Sequence, residues 1–181
     1  MGIGIIICGL NGAGKSTLGN ALAEELGWHF IDIEDLYFPP AGPDYPYASP
    51  RARKEVERGL LREIAAHERF VFAAVKGDYG EAVSPSFQYA VLAAAPKEVR
   101  MRRVRERSFQ KFRERMLPGG DLYEQEERFF DAVRSRAEDA AEEWVRSLSC
   151  PILRVDGTRP VKENLAVIVS RLEERRLLCR R

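Results

Sequence analysis

The sequence predicts an α/β protein in which a five-stranded parallel sheet lies between two layers of helices. Five short apolar runs alternate with segments of helical periodicity, a pattern that favours a parallel sheet covered on both faces. The first two runs are joined by a glycine-rich loop and one helix within about thirty residues, which is a βαβ unit. A chain of 181 residues suits a single domain, here residues 1–181.

The predicted elements follow in order from the apolar pattern. The strand Ile3–Cys8 is short, β-branched and followed by glycine, and the helix over residues 16–26 ends before Gly27. Five of the ten prolines lie in residues 38–50, which excludes a continuous helix or central strand there. The remaining predicted strands are residues 28–33, 70–75, 89–94 and 152–155, and the remaining helices include residues 50–67 and 165–172.

Two neighbouring segments have opposite charge. Residues 97–115 hold nine basic and three acidic side chains, whereas residues 121–143 hold three basic and nine acidic ones. A turn of composition Leu-Pro-Gly-Gly separates them at residues 117–120. Apolar residues at helical spacing over residues 129–148 predict one long amphipathic helix in the second segment.

Bulk composition excludes several classes of protein. The net charge of +1 gives no general attraction to nucleic acid or membranes, and no apolar run approaches the length of a membrane span. The three cysteines Cys8, Cys150 and Cys179 are widely spaced, which favours reduced thiols in a cytoplasmic protein. The two histidines, His29 and His67, are expected to be packing or solvated residues and to form no metal site.

Residues 9–17 read GLNGAGKST and match GxxxxGK[ST] between a predicted strand and a predicted helix. Glycines let successive backbone amides turn toward phosphate oxygens, and the helix N-terminus adds further N–H donors. Lys15 is expected to reach the β- and γ-phosphates of ATP, and Ser16 to bind Mg²⁺. The expected phosphate-binding residues are Gly9, Asn11, Gly12, Ala13, Gly14, Lys15, Ser16 and Thr17.

This loop, together with four other stretches over residues 3–172, resembles the P-loop kinases that act on nucleosides, nucleotides, shikimate and gluconate. No guanine-reading NKxD and no LSGGQ stretch is present. The chain is most similar to uncharacterised bacterial P-loop kinase-like proteins that are grouped with AAA family ATPases. The resemblance implies a P-loop NTPase fold of three α/β/α layers, an acceptor-binding insertion at about residues 37–67 and a mobile lid at about residues 108–126.

The stretch FIDIEDLY at residues 30–37 resembles the FxDxD stretch of shikimate and gluconate kinases and the DxFY stretch of uridine kinases. The resemblance implies that Asp32 holds the metal and that Glu34 is the catalytic base, with Asp35 in reserve and Tyr37 on the acceptor side. Residues 32 and 34 face the same way if the strand continues. The alternative is that these acids only cap the following turn.

Two further stretches lie on the expected acceptor side. The third predicted strand is followed by Lys76-Gly77-Asp78, where similar kinases have glycines that let the acceptor approach the backbone. Lys76 and Gly77 are therefore expected to contact the acceptor, and Asp78 is a candidate metal ligand. Arg51 belongs to a cluster of cations after the proline-rich loop and is expected to contact the acceptor as well.

The segment beginning Pro-Lys-Glu-Val at residue 96 resembles the helix that leads into the lid of these kinases. The resemblance places Arg107 on the adenine and in catalysis, and makes Arg113 and Arg115 the lid cations that reach the transferred phosphoryl group. Pairing with the acidic segment is the simpler interpretation of these cations. Gly157 and Thr158 follow the last strand, where the adenine loop of the group lies, although a helix-capping turn accounts for them equally well.

Taken together, these features predict transfer of the ATP γ-phosphoryl group to a hydroxyl or phosphate of a small molecule, with ATP and Mg²⁺ as cofactors. A nucleotide-dependent regulatory or binding module, and a kinase of a nucleic-acid end, are the alternatives. The basic segment contains only two aromatic residues, Phe109 and Phe112, so nucleic acid is not the expected partner. No oligomeric state is predicted.

Overall fold

Five parallel strands form one sheet in the computed structural model, which describes residues 2–38, 45–175 and 177–178. The strand order is β2-β3-β1-β4-β5, and every neighbouring pair is parallel. The α/β architecture and the five-stranded parallel sheet predicted from the sequence are confirmed. The strands are β1 (Ile3–Cys8), β2 (His29–Asp32), β3 (Arg69–Ala74), β4 (Phe87–Ala94) and β5 (Ile152–Asp156).

Helices cover both faces of the sheet because the strands alternate apolar side chains between two cores. Helices α1 and α7 cover one face through residues such as Leu22 and Ile168, and α3 and α6 cover the other through Leu60 and Val145. The helices are α1 (Lys15–Leu26), α2 (Ile33–Tyr37), α3 (Arg53–Ala66), α4 (Lys97–Phe112), α5 (Tyr123–Arg134), α6 (Ala140–Arg146) and α7 (Val161–Glu174).

The strand predicted over residues 28–33 ends at Asp32 and α2 follows at once, so the condition under which residues 32 and 34 would face the same way is not met. The Asp32 carboxylate accepts a hydrogen bond of 2.9 Å from the Glu34 N–H and thereby starts α2. An aspartate that satisfies a first-turn amide is a favourable helix cap. Asp32 and Glu34 therefore reach the site from a strand end and a helix turn.

The long helix predicted across residues 129–148 is also wrong, because the chain breaks between α5 and α6 at residues 135–139. Neither glycine nor proline lies there. The two helices serve different cores: Phe130 of α5 packs in a third cluster, whereas Val145 of α6 packs on the sheet. Separate cores, and ion pairs made by the connecting loop, outweigh the helical propensity of the sequence.

The third cluster joins the end of α4 to α5 beside the sheet. Its buried side chains include Tyr45, Val104, Phe112, Met116 and Phe130. The predicted lid at residues 108–126 falls within this region. Residues 39–44 of the predicted acceptor insertion at residues 37–67 lie outside the described residues. No helix in the described part of the chain is long and apolar enough to cross a membrane.

Candidate active site

The glycine-rich loop runs from the end of β1 into α1. Gly12 and Gly14 have φ angles of 79° and 92°, which side chains other than glycine rarely adopt. A Cβ on Gly12 would overlap the Arg100 carbonyl oxygen, so α4 fits against the loop only because residue 12 is glycine. A Cβ on Gly14 would meet only the Gly157 oxygen, at 3.9 Å, which leaves room above the start of α1.

Lys15 is the first residue of α1 and is only 6% exposed. Within the described residues its ammonium group has no hydrogen bond or ion pair. Burial lowers the pKa of Lys15, while the nearby carboxylates of Glu34 and Asp32 act in the opposite direction. A buried cation without a paired anion is costly. A phosphate group above the unpaired amides of the first turn would supply that anion, so the loop fits a nucleotide phosphate.

A cleft of about 540 Å³ opens between the loop, α2, the start of α3 and the end of α4. Seven of the residues predicted for the site line it. The volume of the cleft is enough for a small molecule, since small-molecule sites have volumes of roughly 300 to 1,000 Å³. The seven predicted residues are Asn11, Lys15, Glu34, Tyr37, Lys76, Asp78 and Arg107.

Glu34 lines the cleft and pairs with one of its cations. Its carboxylate is 3.7 Å from the Arg107 guanidinium, and both groups influence Lys15. Asp32 lies near Lys15 as well, but one of its carboxylate oxygens is engaged in capping α2. Asp35 is exposed and does not line the cleft. Partial loss of solvent around its carboxyl group, followed by the negative charges of Asp32 and Glu34, raises the pKa of Asp35.

Asp78 belongs to a cluster of charges on the acceptor side of the cleft. Its carboxylate is 3.5 Å from Lys76 and 3.8 Å from Arg53, and Arg53 also donates to the Asp78 backbone carbonyl. Lys76 and Arg53 therefore pair with the carboxylate that was predicted as a metal ligand. Gly77 faces away from the cleft, because a Cβ there would lie 2.7 Å from Trp144 and 2.8 Å from Ile6.

The predicted lid cations lie outside the cleft lining. Arg115 forms a bidentate pair with Asp121, with a shortest distance of 2.6 Å, and Arg113 lies over the Phe109 ring. Arg51 donates to the Leu36 carbonyl oxygen, also away from the lining residues. The pairing with acids that the sequence left open is therefore present for Arg115.

Arg103, and not Arg107, contacts the loop after β5. Its guanidinium donates to the carbonyl oxygens of Gly157 at 2.8 Å and Gly12 at 3.3 Å. Thr158 directs its N–H and hydroxyl to the Asp156 carboxylate, which closes a turn. This is not the helix cap left open above, because Pro160 is the N-cap of α7 and makes no side-chain hydrogen bond. Arg107 lies one helical turn further on, beside Glu34.

Arg136 is a cleft residue that the sequence did not single out. It follows α5 and donates to the Asn11 side-chain oxygen at 3.0 Å, directly beside the phosphate-binding loop. Glu138 holds the same connection in place through a 2.5 Å pair with the buried Arg100 and a 3.4 Å pair with Lys97. Arg136 could not be predicted as a site residue from the sequence, because it falls inside a predicted continuous helix. Only the break after α5 brings it to the phosphate-binding loop.

Aromatic residues also line the cleft, among them Tyr45, Tyr47 and Phe112. Tyr47 accepts a hydrogen bond of 3.0 Å from Lys111, and Tyr45 packs on Phe112. The Tyr45 hydroxyl donates a 2.6 Å hydrogen bond to the buried Glu126, and burial together with this carboxylate raises the pKa of Tyr45. These contacts join the segment after residue 44 to α4 and α5.

Comparison with known proteins identifies the family. A family model described as an AAA domain matches residues 5–128. The chain belongs to the AAA domain family. A relative from Bacillus subtilis strain 168, the uncharacterized protein YqaC, is 28% identical over 178 residues, which covers 93% of this chain and 96% of that protein. The shikimate kinase of Synechococcus elongatus is 34% identical over 76 residues, covering 40% of each protein.

Solved structures of small-molecule kinases share the fold of this AAA domain protein. Deoxyadenosine kinase from M. mycoides with bound dATP has a TM-score of 0.58 and 17% identity, covering 94% of this chain and 99% of that one. Shikimate kinase from Aquifex aeolicus has a TM-score of 0.54 and 20% identity, covering 96% and 98%. At these identities the likeness concerns the fold alone. The chain is thus a P-loop protein of kinase-like fold.

Proposed function

We propose that this protein transfers the γ-phosphoryl group of ATP to a hydroxyl group of a small molecule. The observation that carries the proposal is the position of Glu34, which lies in the cleft near Lys15 and 3.7 Å from Arg107. A carboxylate beside the transferred phosphate would weaken ATP binding, because the negative charges of the carboxylate and the phosphate repel each other. It serves as a proton acceptor for an attacking hydroxyl.

The proposed reaction uses this chain's residues in sequence. The loop amides and Lys15 bind the phosphates. Glu34 takes the proton of the acceptor hydroxyl while the oxygen of that hydroxyl forms a bond to the γ-phosphorus. The bond between that phosphorus and the bridging oxygen breaks, and ADP leaves. Arg107 and Arg136 stabilise the charge on the phosphoryl oxygens. Ser16 and Asp32 would hold Mg²⁺, which neutralises phosphate charge when bound.

The acceptor is proposed to carry an anionic group of its own. Among the described residues that line the cleft, six are basic and two are acidic. Lys15, Arg107 and Arg136 lie near the phosphate-binding loop, which leaves Arg53, Lys76 and Lys111 for the acceptor. Shikimate kinase is named among the partial relatives, and its name is in keeping with a small acceptor. A carboxylate or phosphate on the acceptor would pair with these cations.

The test is ATP turnover measured against a panel of hydroxyl-bearing metabolites, with and without acidic groups. One acidic metabolite should stimulate ADP release strongly in the wild type. Glu34→Gln should abolish that stimulation, and ATP binding should persist because the phosphate loop is unchanged. Glu24→Gln, an exposed carboxylate on α1, is the matched control. Tight ATP binding without stimulation by any acceptor would contradict the proposal.

The two alternatives give different results in the same assay. A regulatory module would keep its nucleotide response in Glu34→Gln, because no hydroxyl has to be deprotonated. A kinase of nucleic-acid ends would bind oligonucleotides with an affinity that falls steeply with salt. Ion pairs from the basic helix α4 to acids, such as Arg105 to Glu127 at 2.9 Å, oppose such a binding track.

A further inference from the structure

The only two histidines of the chain lie against each other outside the cleft. The His29 and His67 rings stack with centroids 3.5 Å apart and an angle of 8° between their planes. Glu63 lies between their polar edges: its carboxylate is 2.9 Å from His29 Nε2 and 3.8 Å from His67 Nδ1. His29 begins β2, and Glu63 and His67 lie one turn apart at the end of α3.

This histidine cluster, His29, Glu63 and His67, has the composition of a metal site. Within residues 2–38, 45–175 and 177–178, it is the one group of three or more histidine, cysteine or acidic residues whose ligand atoms all lie within 4.8 Å of one another. The side chains are 35%, 40% and 35% exposed, so an ion can enter from solvent. His67 follows the last residue of α3 in extended conformation, and its ring still lies 3.8 Å from the Glu63 carboxylate, so one ion could reach both side chains.

We propose that the histidine cluster binds one divalent transition-metal ion, of the class of Zn²⁺, Ni²⁺ or Co²⁺. Two neutral imidazoles and one carboxylate form a ligand set that suits these ions, whereas Mg²⁺ prefers oxygen ligands alone. The carboxylate offsets one of the two positive charges, and water completes the coordination. This site differs from the Mg²⁺ position of the proposed reaction, which involves Ser16 and Asp32.

Hydrogen bonding prepares His67 for this role. Its Nδ1 lies 2.9 Å from the Glu63 backbone carbonyl oxygen, which accepts the proton of that nitrogen. The lone pair is then on Nε2, so His67 would bind an ion through Nε2 and not through the Nδ1 that lies 3.8 Å from the Glu63 carboxylate. Metal-bound histidines commonly have this arrangement, with the second ring nitrogen donating to a carbonyl or carboxylate. An ion lies in the plane of each ring it binds, so binding requires the stacked rings to rotate apart.

The site would join β2 to α3 at the end opposite the active site. Asp32 lies three positions after His29 in β2, or about 10 Å along the strand. Because α3 begins at Arg53, which lines the cleft, an ion at its last turn would hold the whole helix against the sheet. The expected consequence is that the stability of the folded protein rises with the logarithm of the ion concentration once the site is occupied.

Metal binding can be measured without any catalytic assay. Trp28 adjoins His29 in sequence, and the chain has one other tryptophan, Trp144. In a Trp144→Phe background, Ni²⁺ should quench Trp28 fluorescence with a one-site curve in nucleotide-free protein, and Zn²⁺ should compete. Calorimetry with Zn²⁺ alone should give one ion per chain.

The variants His29→Gln, Glu63→Gln and His67→Gln should each weaken Zn²⁺ binding at least tenfold. Glu68→Gln, an exposed carboxylate next to the cluster, is the control and should bind as the wild type does. Circular dichroism and the melting temperature without metal establish that each variant is folded, and the rise in melting temperature with Zn²⁺ should be lost in all three. Equal binding by His67→Gln, or no binding by the wild type, would overturn the proposal.

Discussion

The phosphate-binding side and the acceptor side of the cleft are built in different ways. On the phosphate side, the loop and α1 form a continuous stretch of chain in which backbone conformation determines the site, as the φ angles of Gly12 and Gly14 show. On the acceptor side, separate segments meet through side chains, for example Tyr45 with Glu126 and Arg53 with Asp78. The first kind of site can be predicted from neighbouring residues, whereas the second requires the fold.

Each side of the cleft buries a charged group that lacks partners among the described residues, Lys15 on the phosphate side and Glu126 beside the acceptor side. Glu126 is 1% exposed, and one of its carboxylate oxygens has no hydrogen-bond partner among the described residues. The other oxygen accepts a hydrogen bond from the Tyr45 hydroxyl. Buried polar atoms without partners cost stability. The following substitutions compare what these two groups and their neighbours contribute to activity and stability.

Lys15→Met should have the largest effect. We expect phosphoryl transfer to fall by about a hundredfold to a thousandfold, as when one group that stabilises transition-state charge is removed. Burial lowers the pKa of Lys15, so the folded protein holds this cation at a cost, and the nucleotide-free variant should melt at a higher temperature. Turnover and melting curves check both. Lys162→Met, at an exposed position on α7, is the control.

Arg136→Gln should come next, with turnover reduced by about tenfold to a hundredfold, which is the range for loss of a hydrogen bond to a charged group. Arg134→Gln removes the same charge two residues earlier, where the arginine pairs with Asp131 at the surface, and should change turnover little. Steady-state kinetics with ATP compare the two. Equal effects in both variants would show that Arg136 does not act at the site.

Tyr45→Phe should lower the free energy of unfolding by about 1 to 2 kcal/mol, because it leaves a buried Glu126 oxygen without its hydrogen bond. Urea unfolding measures this change. Tyr123→Phe, on the same helix as Glu126, serves as the control. If Tyr45→Phe is as stable as the wild type, the tie between the acceptor segment and α5 does not contribute to the folded state.

Arg113→Gly should have the smallest effect and should be favourable. Arg113 has a φ of 52°, which glycine adopts more readily than residues with a side chain, and we expect stability to rise by up to about 1 kcal/mol. Turnover should change by less than about twofold, because Arg113 does not line the cleft. A large loss of turnover would instead support the role as a lid cation that the resemblance implies.

The sequence predicted the elements whose causes are local. The order of the strands along the chain, the phosphate loop and its flanking helix follow from apolar periodicity and from glycine spacing. The end of β2 was missed because Asp32 caps a helix through its side chain, and an acidic residue after a strand is compatible with both outcomes. The break after α5 was missed because residues 135–139 are compatible with a helix.

The same limit applies to the arginines and histidines. Arg103 and Arg107 lie four positions apart on α4, but the contacts of Arg103 with Gly157 and of Arg107 with Glu34 depend on where β5 and α2 lie. His29 and His67 are 38 positions apart, and separately each is an ordinary residue. Only the packing of α3 on β2 brings them into contact.

By itself, the sequence determined that this chain is an α/β protein with a phosphate-binding loop, because backbone freedom and apolar periodicity act between residues close in the chain. The tertiary structure decided which charged side chains meet. It placed Glu34 beside Arg107, brought Arg136 to the loop and stacked the two histidines. The physical reason is that Coulomb and hydrogen-bond interactions depend on distances of a few ångströms, and long-range packing sets those distances.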